Sequence, residues 1–252
     1  MKVLVTANQK GGVGKTSILV HLAFEFSERG KRVAVIDMDT QGNASYTLQE
    51  RSSGIKASEL WGEVSAARFA AMPESGIALI ESDTQLANVE KLSLQDMVIG
   101  FRNNMAELAR SGFDVCLIDT APTLSNALIV ALASADFVVS PIELEVYSIQ
   151  GIKKMLTTFN QVKNRMNSKL EFIGMVPSKV DGRNPRHVRH LTELKNAYPS
   201  LMVPAAVGLR SSIADALASR VPVWKIKKTA ARKASQEMRA LADHVYNKMG
   251  VA

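Results

Sequence analysis

The feature that most constrains the fold is a glycine-rich loop near the start of the chain, placed between an apolar run and a helical segment. Residues 2–7 are the apolar run, and residues 8–17 read Asn-Gln-Lys-Gly-Gly-Val-Gly-Lys-Thr-Ser. Glycines let successive backbone N–H groups converge on one anion, and the N-terminus of the following helix adds a favourable dipole. The order of strand, glycine loop and helix therefore predicts a phosphate cradle.

The residues of this loop have distinct expected roles. Lys15 is placed to reach the β and γ phosphates of a nucleotide, and the Thr16 hydroxyl to bind Mg²⁺. Gln9 replaces the first glycine of the general pattern G-x-x-x-x-G-K-[ST], and Lys10 adds a second lysine to the loop. The candidate nucleotide-binding residues here are Lys10, Gly11, Gly12, Val13, Gly14, Lys15, Thr16 and Ser17.

Short β-branched runs alternate with helical segments along the whole chain, which predicts parallel βαβ units. The predicted strands span residues 2–7, 32–37, 77–81, 115–119, 137–141, 170–176 and 201–205. The predicted helices span residues 14–29, 95–110, 125–133, 149–167, 186–197, 211–218 and 230–248. We expect a P-loop NTPase of the α/β class, with a doubly wound, mostly parallel sheet and helices on both faces. Residues 1–252 would form a single domain, with an irregular insertion near residues 49–75.

Carboxylates follow two of the predicted strands. Asp37 and Asp39 come at the end of the second strand, and Asp119 ends the fourth. Because ligands bind at the carboxyl edge of such sheets, we expect these acids near the phosphate loop. An acid after an apolar strand is the Walker B pattern, in which Asp119 holds Mg²⁺ directly or through water.

Composition and charge narrow the function classes. The single cysteine, Cys116, cannot form an internal disulfide, and it excludes a set of cysteine cluster ligands within one chain. The longest apolar stretch, residues 127–142, is too short to span a bilayer, and no cleavable signal pattern is present. We therefore expect a cytoplasmic protein. An excess of 31 Lys and Arg over 24 Asp and Glu suits a polyanionic partner.

Positive charge concentrates in the last third of the chain. Such side chains can bind DNA phosphates without reading sequence, or they can form a solvated helix face. Only Trp224 is aromatic near the densest run, so base stacking is not indicated. The candidate DNA-binding residues are Arg183, Arg186, Arg189, Arg210, Lys225, Lys227, Lys228, Arg232 and Lys233.

Residues 10–16 match the deviant Walker A motif, K-G-G-x-G-K-[ST], and the chain resembles the ParA/MinD family of P-loop ATPases over essentially its whole length. Residues 120–123 are similar to switch II of that family, and residues 140–151 and 180–183 to further family segments. The chain looks like a short plasmid partition ParA protein of the IncC type. Its phosphate-loop strand begins at residue 2, so we expect no N-terminal helix-turn-helix domain.

The resemblance implies a mechanism. Lys10 would reach into a partner subunit and bind the phosphates of its ATP in a sandwich dimer. Asp39 would lie in switch I, so that Lys10, Lys15 and Asp39 are the candidate catalytic residues and Thr16, Asp39 and Asp119 the candidate metal ligands. The implied cofactors are ATP and Mg²⁺. The implied partners are a second copy of the chain when ATP is bound, nonspecific DNA of the nucleoid, and a centromere-binding ParB-type protein that stimulates hydrolysis.

Adenine contacts are assigned through the same resemblance. Many relatives carry I-P-R-N-V-R before the helix that begins near Ser211, whereas this chain departs from that pattern and reads Val-Gly-Leu-Arg-Ser-Ser. The candidate base contacts are Val207, Gly208, Leu209 and Arg210, together with Ser178 after the sixth predicted strand.

Two alternatives remain open. A MinD-like regulator at the membrane surface would need a C-terminal membrane-targeting helix, and residues 250–252, Gly-Val-Ala, supply no apolar and basic tail. We therefore expect no stable membrane association. A P-loop ligase of the cobyrinate or dethiobiotin type would need a substrate pocket and, for amide transfer, a glutamine-hydrolysing domain.

Overall fold

Seven parallel strands form one sheet in a computed structural model, which describes residues 1–145 and 148–251. The strands in chain order are β1 Lys2–Thr6, β2 Val33–Met38, β3 Ser52–Lys56, β4 Ile77–Glu81, β5 Val115–Thr120, β6 Phe137–Ile142 and β7 Glu171–Pro177. Across the sheet their order is β3-β4-β2-β5-β1-β6-β7. The predicted doubly wound α/β fold is confirmed. Of the family-like segment 140–151, Val146 and Tyr147 lie outside the described residues.

Both faces of the sheet are covered, which explains the continuous apolar runs in its central strands. All six residues of β5 are buried. Side chains alternate between two cores: Leu4 and Leu117 pack on one face, and Val5 and Ile118 on the other. The carboxyl ends of the central strands are thereby held in a rigid row.

Helices form the two outer layers. The described helices are α1 Lys15–Glu28, α2 Asn43–Thr47, α3 Ala66–Ala70, α4 Leu94–Arg110, α5 Asn126–Ala133, α6 Ser148–Arg165, α7 Pro185–Ala197, α8 Ser211–Ala218 and α9 Ala231–Met249. Leu19 of α1 and Leu241 of α9 belong to one core, whereas Phe101 of α4 and Phe159 of α6 belong to the other. Among the described residues, no helix combines the length and apolarity that crossing a bilayer requires.

Two sequence predictions are wrong. Residues 201–205 do not form a strand: a 3₁₀ turn, Pro199–Leu201, leads into an extended segment with one bridge, from Met202 to Met175. Pro204 has no N–H group to continue a ladder. The supposed irregular insertion at residues 49–75 contains β3 and α3. The β3 sequence, Ser-Ser-Gly-Ile-Lys, lacks β-branched alternation because it is an edge strand. The single-domain interpretation stays a prediction.

A buried histidine connects the phosphate-loop helix to the segment that precedes α9, and it predicts a pH effect on stability. His21 is 1% exposed; its Nδ1 lies 2.6 Å from the Ser17 carbonyl, and its Nε2 accepts the Val223 N–H at 3.1 Å. The Val223 contact requires an unprotonated Nε2, and therefore the neutral ring, and burial lowers the His21 pKa to about 4.

Because this pKa is lowered on folding, the unfolded chain binds more protons between pH 6.5 and 4, and stability falls as the pH falls through that window. We expect His21 to account for a loss of about 2 kcal/mol in the free energy of unfolding between pH 7 and pH 5. Urea titrations of the wild type and His21→Gln at both pH values check this, since glutamine keeps a donor and an acceptor but does not titrate. Equal pH dependence in the two proteins would contradict the assignment.

Candidate nucleotide-binding site

The sheet register brings three polar side chains into one row at its carboxyl edge. Asp119 of β5 is the direct neighbour of Thr6 on β1 and of Asp37 on β2. β5 lies between those two strands, so the Walker B acid is enclosed on both sides. The expected convergence of these segments at the carboxyl edge of the sheet is confirmed.

The glycine loop connects β1 to α1 in a conformation that only glycine adopts readily. Gly12 and Gly14 have φ angles of 74° and 94°. A Cβ on Gly14 would also lie 2.8 Å from Oγ of Ser178, so the loop and the residue after β7 approach closely. Within the described residues no side chain caps the N-terminus of α1, and its first N–H groups are available to an anion.

Lys15 is a buried cation at this loop. It is 6% exposed, and Nζ donates a long hydrogen bond of 3.4 Å to the Lys10 carbonyl. Burial lowers the pKa of Lys15, while the nearby carboxylates of Asp119 and Asp39 act in the opposite direction. A buried ammonium held by so long a contact is placed to pair with a phosphate group.

Asp119 and Thr16 form the centre expected for a metal ion. Asp119 is 1% exposed; Oδ2 accepts the Thr16 hydroxyl at 2.6 Å, and Oδ1 accepts the Thr6 hydroxyl at 3.2 Å. Burial, followed by the charge of Asp37, raises the pKa of Asp119 to about 7. Because the charged form of this carboxylate is destabilised, a nearby cation would stabilise it.

This donor set fits Mg²⁺ better than a metal held by protein ligands alone. Among the described residues no three or more His, Cys, Asp or Glu side chains cluster closely enough to hold a metal ion. One carboxylate and one hydroxyl, with room for phosphate oxygens and water, suit the octahedral preference of Mg²⁺.

The two acids after β2 have different environments. Asp37 is fully buried and accepts hydrogen bonds from the backbone and hydroxyl of Ser45 at 2.7 and 2.8 Å and from the Asp39 N–H at 3.1 Å. Asp39 lines the cavity beside the glycine loop, and its backbone carbonyl accepts the Ser82 hydroxyl at 2.6 Å. Asp37 therefore supports the segment, while Asp39 presents its carboxylate to the site.

A cavity of about 940 Å³ extends from the glycine loop to the segment before α8. Most of the predicted nucleotide-binding residues line it: Gly11, Gly12, Gly14, Lys15, Thr16, Ser17, Ser178, Val207, Gly208, Leu209 and Arg210. Val13 is buried in the core, so only its backbone is available to a nucleotide. Asp119 does not line the cavity, but it accepts a hydrogen bond from Thr16, which does. The structure therefore brings the predicted phosphate and base contacts together around one space.

Lys10 does not line this cavity. Its Nζ lies 2.7 Å from Oε2 of Glu143 and 2.7 Å from Oε2 of Glu145, in the segment after β6. The hydrogen bonds that Lys10 donates to Glu143 and Glu145 raise the pKa of Lys10 despite some burial. The side chain remains 44% exposed, so the second lysine sits at the rim of the site.

Lys179 is a cavity residue that the sequence did not indicate. It has a φ of 53°, uncommon for a residue with a side chain, and its Nζ lies 3.4 Å from Oε1 of Glu143. A Cβ on Gly12 would be 3.9 Å from this ammonium. A lysine after a strand is ordinary in sequence, so no signal marked it. Glu143 and Glu145, by contrast, belong to a segment already noted as family-like.

The predicted DNA-binding residues lie on two groups of elements. Arg183, Arg186 and Arg189 are exposed at the start of α7, and the others lie from the segment before α8 to the first turn of α9. Several are paired: Arg189 with Glu193, Arg210 with Glu237, Lys225 with Glu28 and Lys228 with Asp215. In the described part of the chain, no carboxylate lies within 4 Å of Lys227, Arg232 or Lys233.

Comparison with known proteins gives the family. A family model described as an AAA domain matches residues 1–172. The chain is 65% identical to the protein IncC of Escherichia coli over 100% of its own length and 71% of that protein. It is 34% identical to the chromosome-partitioning ATPase Soj of Thermus thermophilus, over 71% of this chain and 70% of that one.

Solved structures share the fold. Cobyrinic acid a,c-diamide synthase from Mycobacterium smegmatis with ADP and magnesium superposes with a TM-score of 0.76 at 25% identity, over 99% of this chain and 96% of that one. The ATP complex of a Cyanothece McdA variant has a TM-score of 0.82 at 21% identity, over 97% and 96%. The identities of 65% and 34% to IncC and Soj exceed the 25% identity to the cobyrinic acid a,c-diamide synthase. The chain therefore belongs to the ParA/MinD-type P-loop ATPases, among the plasmid partition proteins of the IncC type.

Proposed function

We propose that this partition ATPase works as an ATP-dependent switch on DNA. ATP with Mg²⁺ binds in the cavity, closes two subunits into a sandwich dimer, and lets the dimer bind DNA without sequence preference. A centromere-binding partner of the ParB type then stimulates hydrolysis, and the dimer separates. The protein would thus act in the cytoplasm, on the nucleoid.

The position of the Lys10 side chain is the main support for this proposal. It belongs to the glycine loop, yet its ammonium lies outside the cavity that Lys15 enters, at the rim and 44% exposed. A cation in that place adds little to phosphate binding within its own subunit. In a dimer with the two cavities facing each other, it can reach the neighbouring triphosphate, where exclusion of water strengthens the attraction.

Different residues around the cavity have different roles in hydrolysis. Lys15 and the N–H groups of the loop bind and orient the phosphates. Thr16 and Asp119 would hold Mg²⁺, which neutralises charge on the phosphate oxygens. Asp39, fixed by Ser82 and by the N–H of Gln41 at 3.0 Å, is placed to orient a water molecule for attack.

DNA binding is supported by the charge at the start of α9. Arg232 and Lys233 lie in its first turn, which has no acidic residue, and the exposed Lys227 precedes it. Cations that contact DNA phosphates release counterions from the duplex, so such binding depends steeply on salt. Lys225 and Lys228, which already have carboxylate partners, are expected to contribute less.

The test is DNA binding measured with ATP, with ADP and without nucleotide, each over a range of salt concentrations. The proposal requires tight, salt-sensitive binding to unrelated DNA sequences with ATP only. Binding that is equal in all three conditions would contradict the switch. Binding to anionic lipid vesicles in place of DNA would favour the MinD-like alternative.

Neutralising Lys227, Arg232 and Lys233 together is expected to weaken DNA binding and to flatten its salt dependence. Each lost phosphate contact lowers the slope of log K against log salt by about 0.9, so three lost contacts lower it by about 3. A fluorescence anisotropy titration in ATP measures both quantities. The control is Lys153→Ala with Lys154→Ala, two exposed lysines of α6, which should match the wild type. Unchanged affinity and slope in the triple variant would place the DNA surface elsewhere.

A further inference from the structure

Glu237, on α9, receives three hydrogen bonds from the segment before α8. Its Oε2 accepts the Gly208 N–H at 3.0 Å and Arg210 Nε at 2.9 Å, and its Oε1 accepts Arg210 Nη2 at 2.6 Å. The side chain of Glu237 is only 18% exposed and that of Arg210 only 26%. A partly buried, bidentate pair of arginine and glutamate is among the stronger charge-assisted contacts in proteins.

These three hydrogen bonds hold one side of the segment 207–210, its outer side, against α9. The other side is fixed to the end of β7 and to the residues after it, since Val207 N–H donates to the Pro177 carbonyl at 2.8 Å and Leu209 N–H to the Val180 carbonyl at 3.0 Å. The Arg210 guanidinium lies so close over Gly208 that a Cβ there would be 2.9 Å from Nη2. Without the carboxylate, three donors lose their acceptor and the outer side of the segment is released.

The same segment forms one wall of the nucleotide cavity. Gly208, Leu209 and Arg210 line it, and so does Met238, the residue after Glu237. The phosphate contacts come from a different part of the chain, the loop of residues 10–17. The wall that Glu237 holds is therefore separate from the groups that bind the phosphates.

We infer that Glu237 is a positioning residue for the base of the nucleotide: it holds residues 207–210 in the conformation that the base contacts. This inference rests on the proposed binding of ATP in the cavity. Its consequence is a selective defect, in which loss of the carboxylate weakens binding of the base and spares binding of the phosphates.

The experiment compares magnesium ATP with magnesium tripolyphosphate, which has the phosphates but no base, by isothermal titration. Glu237→Gln keeps the size of the side chain and removes its charge. We expect its Kd for ATP to rise about tenfold while its Kd for tripolyphosphate stays within about twofold of wild type. Glu237→Asp, which keeps the charge, should recover part of the loss, and Glu193→Gln, an exposed acid in an ion pair on α7, should bind as wild type.

Arg210→Gln supplies a second arm. Because Arg210 and Glu237 share one ion pair, the loss of ATP affinity in the double variant should be smaller than the sum of the losses in the two single variants. An unchanged ATP affinity in Glu237→Gln, or equal losses for both ligands, would overturn the inference. A wild-type protein that binds neither ligand would instead contradict the proposed function.

Discussion

Replacing Lys15 with alanine is expected to lower the rate of ATP hydrolysis by about 10³-fold and to weaken ATP binding strongly. Lys15 is the buried ammonium of the cavity, and its hydrogen bond to the Lys10 carbonyl is long. Its charge is therefore available to the phosphates, and charge stabilisation in an enclosed site contributes more to such catalysis than most other effects. Phosphate release measured with saturating ATP, and ATP binding measured by titration, check both effects.

The fold of this variant should survive. Removing Lys15 takes away a cation whose burial is unfavourable, while Asp119 keeps the hydroxyls of Thr16 and Thr6. Lys154→Ala, an exposed lysine of α6, serves as the control and should hydrolyse ATP at the wild-type rate. Hydrolysis by Lys15→Ala within tenfold of wild type would place the phosphates elsewhere.

Lys10→Ala is expected to weaken ATP-driven dimerisation by at least tenfold, with little effect on the stability of the single subunit. Its ion pairs with Glu143 and Glu145 lie at a partly exposed rim, where such pairs contribute little to folding. In the proposed dimer the same ammonium would be shielded from water against a triphosphate, where its contribution is larger. Sedimentation velocity with a nonhydrolysable ATP analogue measures the dimer fraction.

Lys56→Ala is the matched control for this experiment. Lys56 is 47% exposed and pairs with Glu81, which is 19% exposed, much as Lys10 at 44% pairs with Glu143 at 17%. Lys56 lies on the edge strand β3, so its loss should leave dimerisation unchanged. If the two variants dimerise equally well, the second lysine of the loop has no role between subunits.

The sequence predicted those parts of the fold that depend on local patterns. Apolar runs indicated six of the strands, and the glycine loop with Lys15 and Thr16 marked the candidate phosphate site. Asp119 followed from an apolar run ending in an acid, and the register with Thr6 and Asp37 confirms its place at the carboxyl edge of the sheet. β3 was missed because an exposed edge strand needs no apolar alternation.

The contacts that complete the site were beyond sequence reasoning because they join distant residues. Lys10 meets Glu145, 135 positions later, and Arg210 meets Glu237, 27 positions later. Glu145 lies in the family-like segment 140–151, but nothing in the sequence pairs it with Lys10, and nothing around Glu237 distinguishes it from a solvated surface residue. Lys179 is recognised only from its backbone conformation and its approach to Gly12.

The two carboxylates beside Lys10 also bear on how readily subunits would come apart. An ammonium that already has partners at 2.7 Å cannot join a second subunit without leaving them, so association exchanges one set of charge contacts for another. The net gain from Lys10 in the proposed dimer is therefore smaller than its contact with the triphosphate alone would give. Reversibility would then be a property of the resting subunit itself.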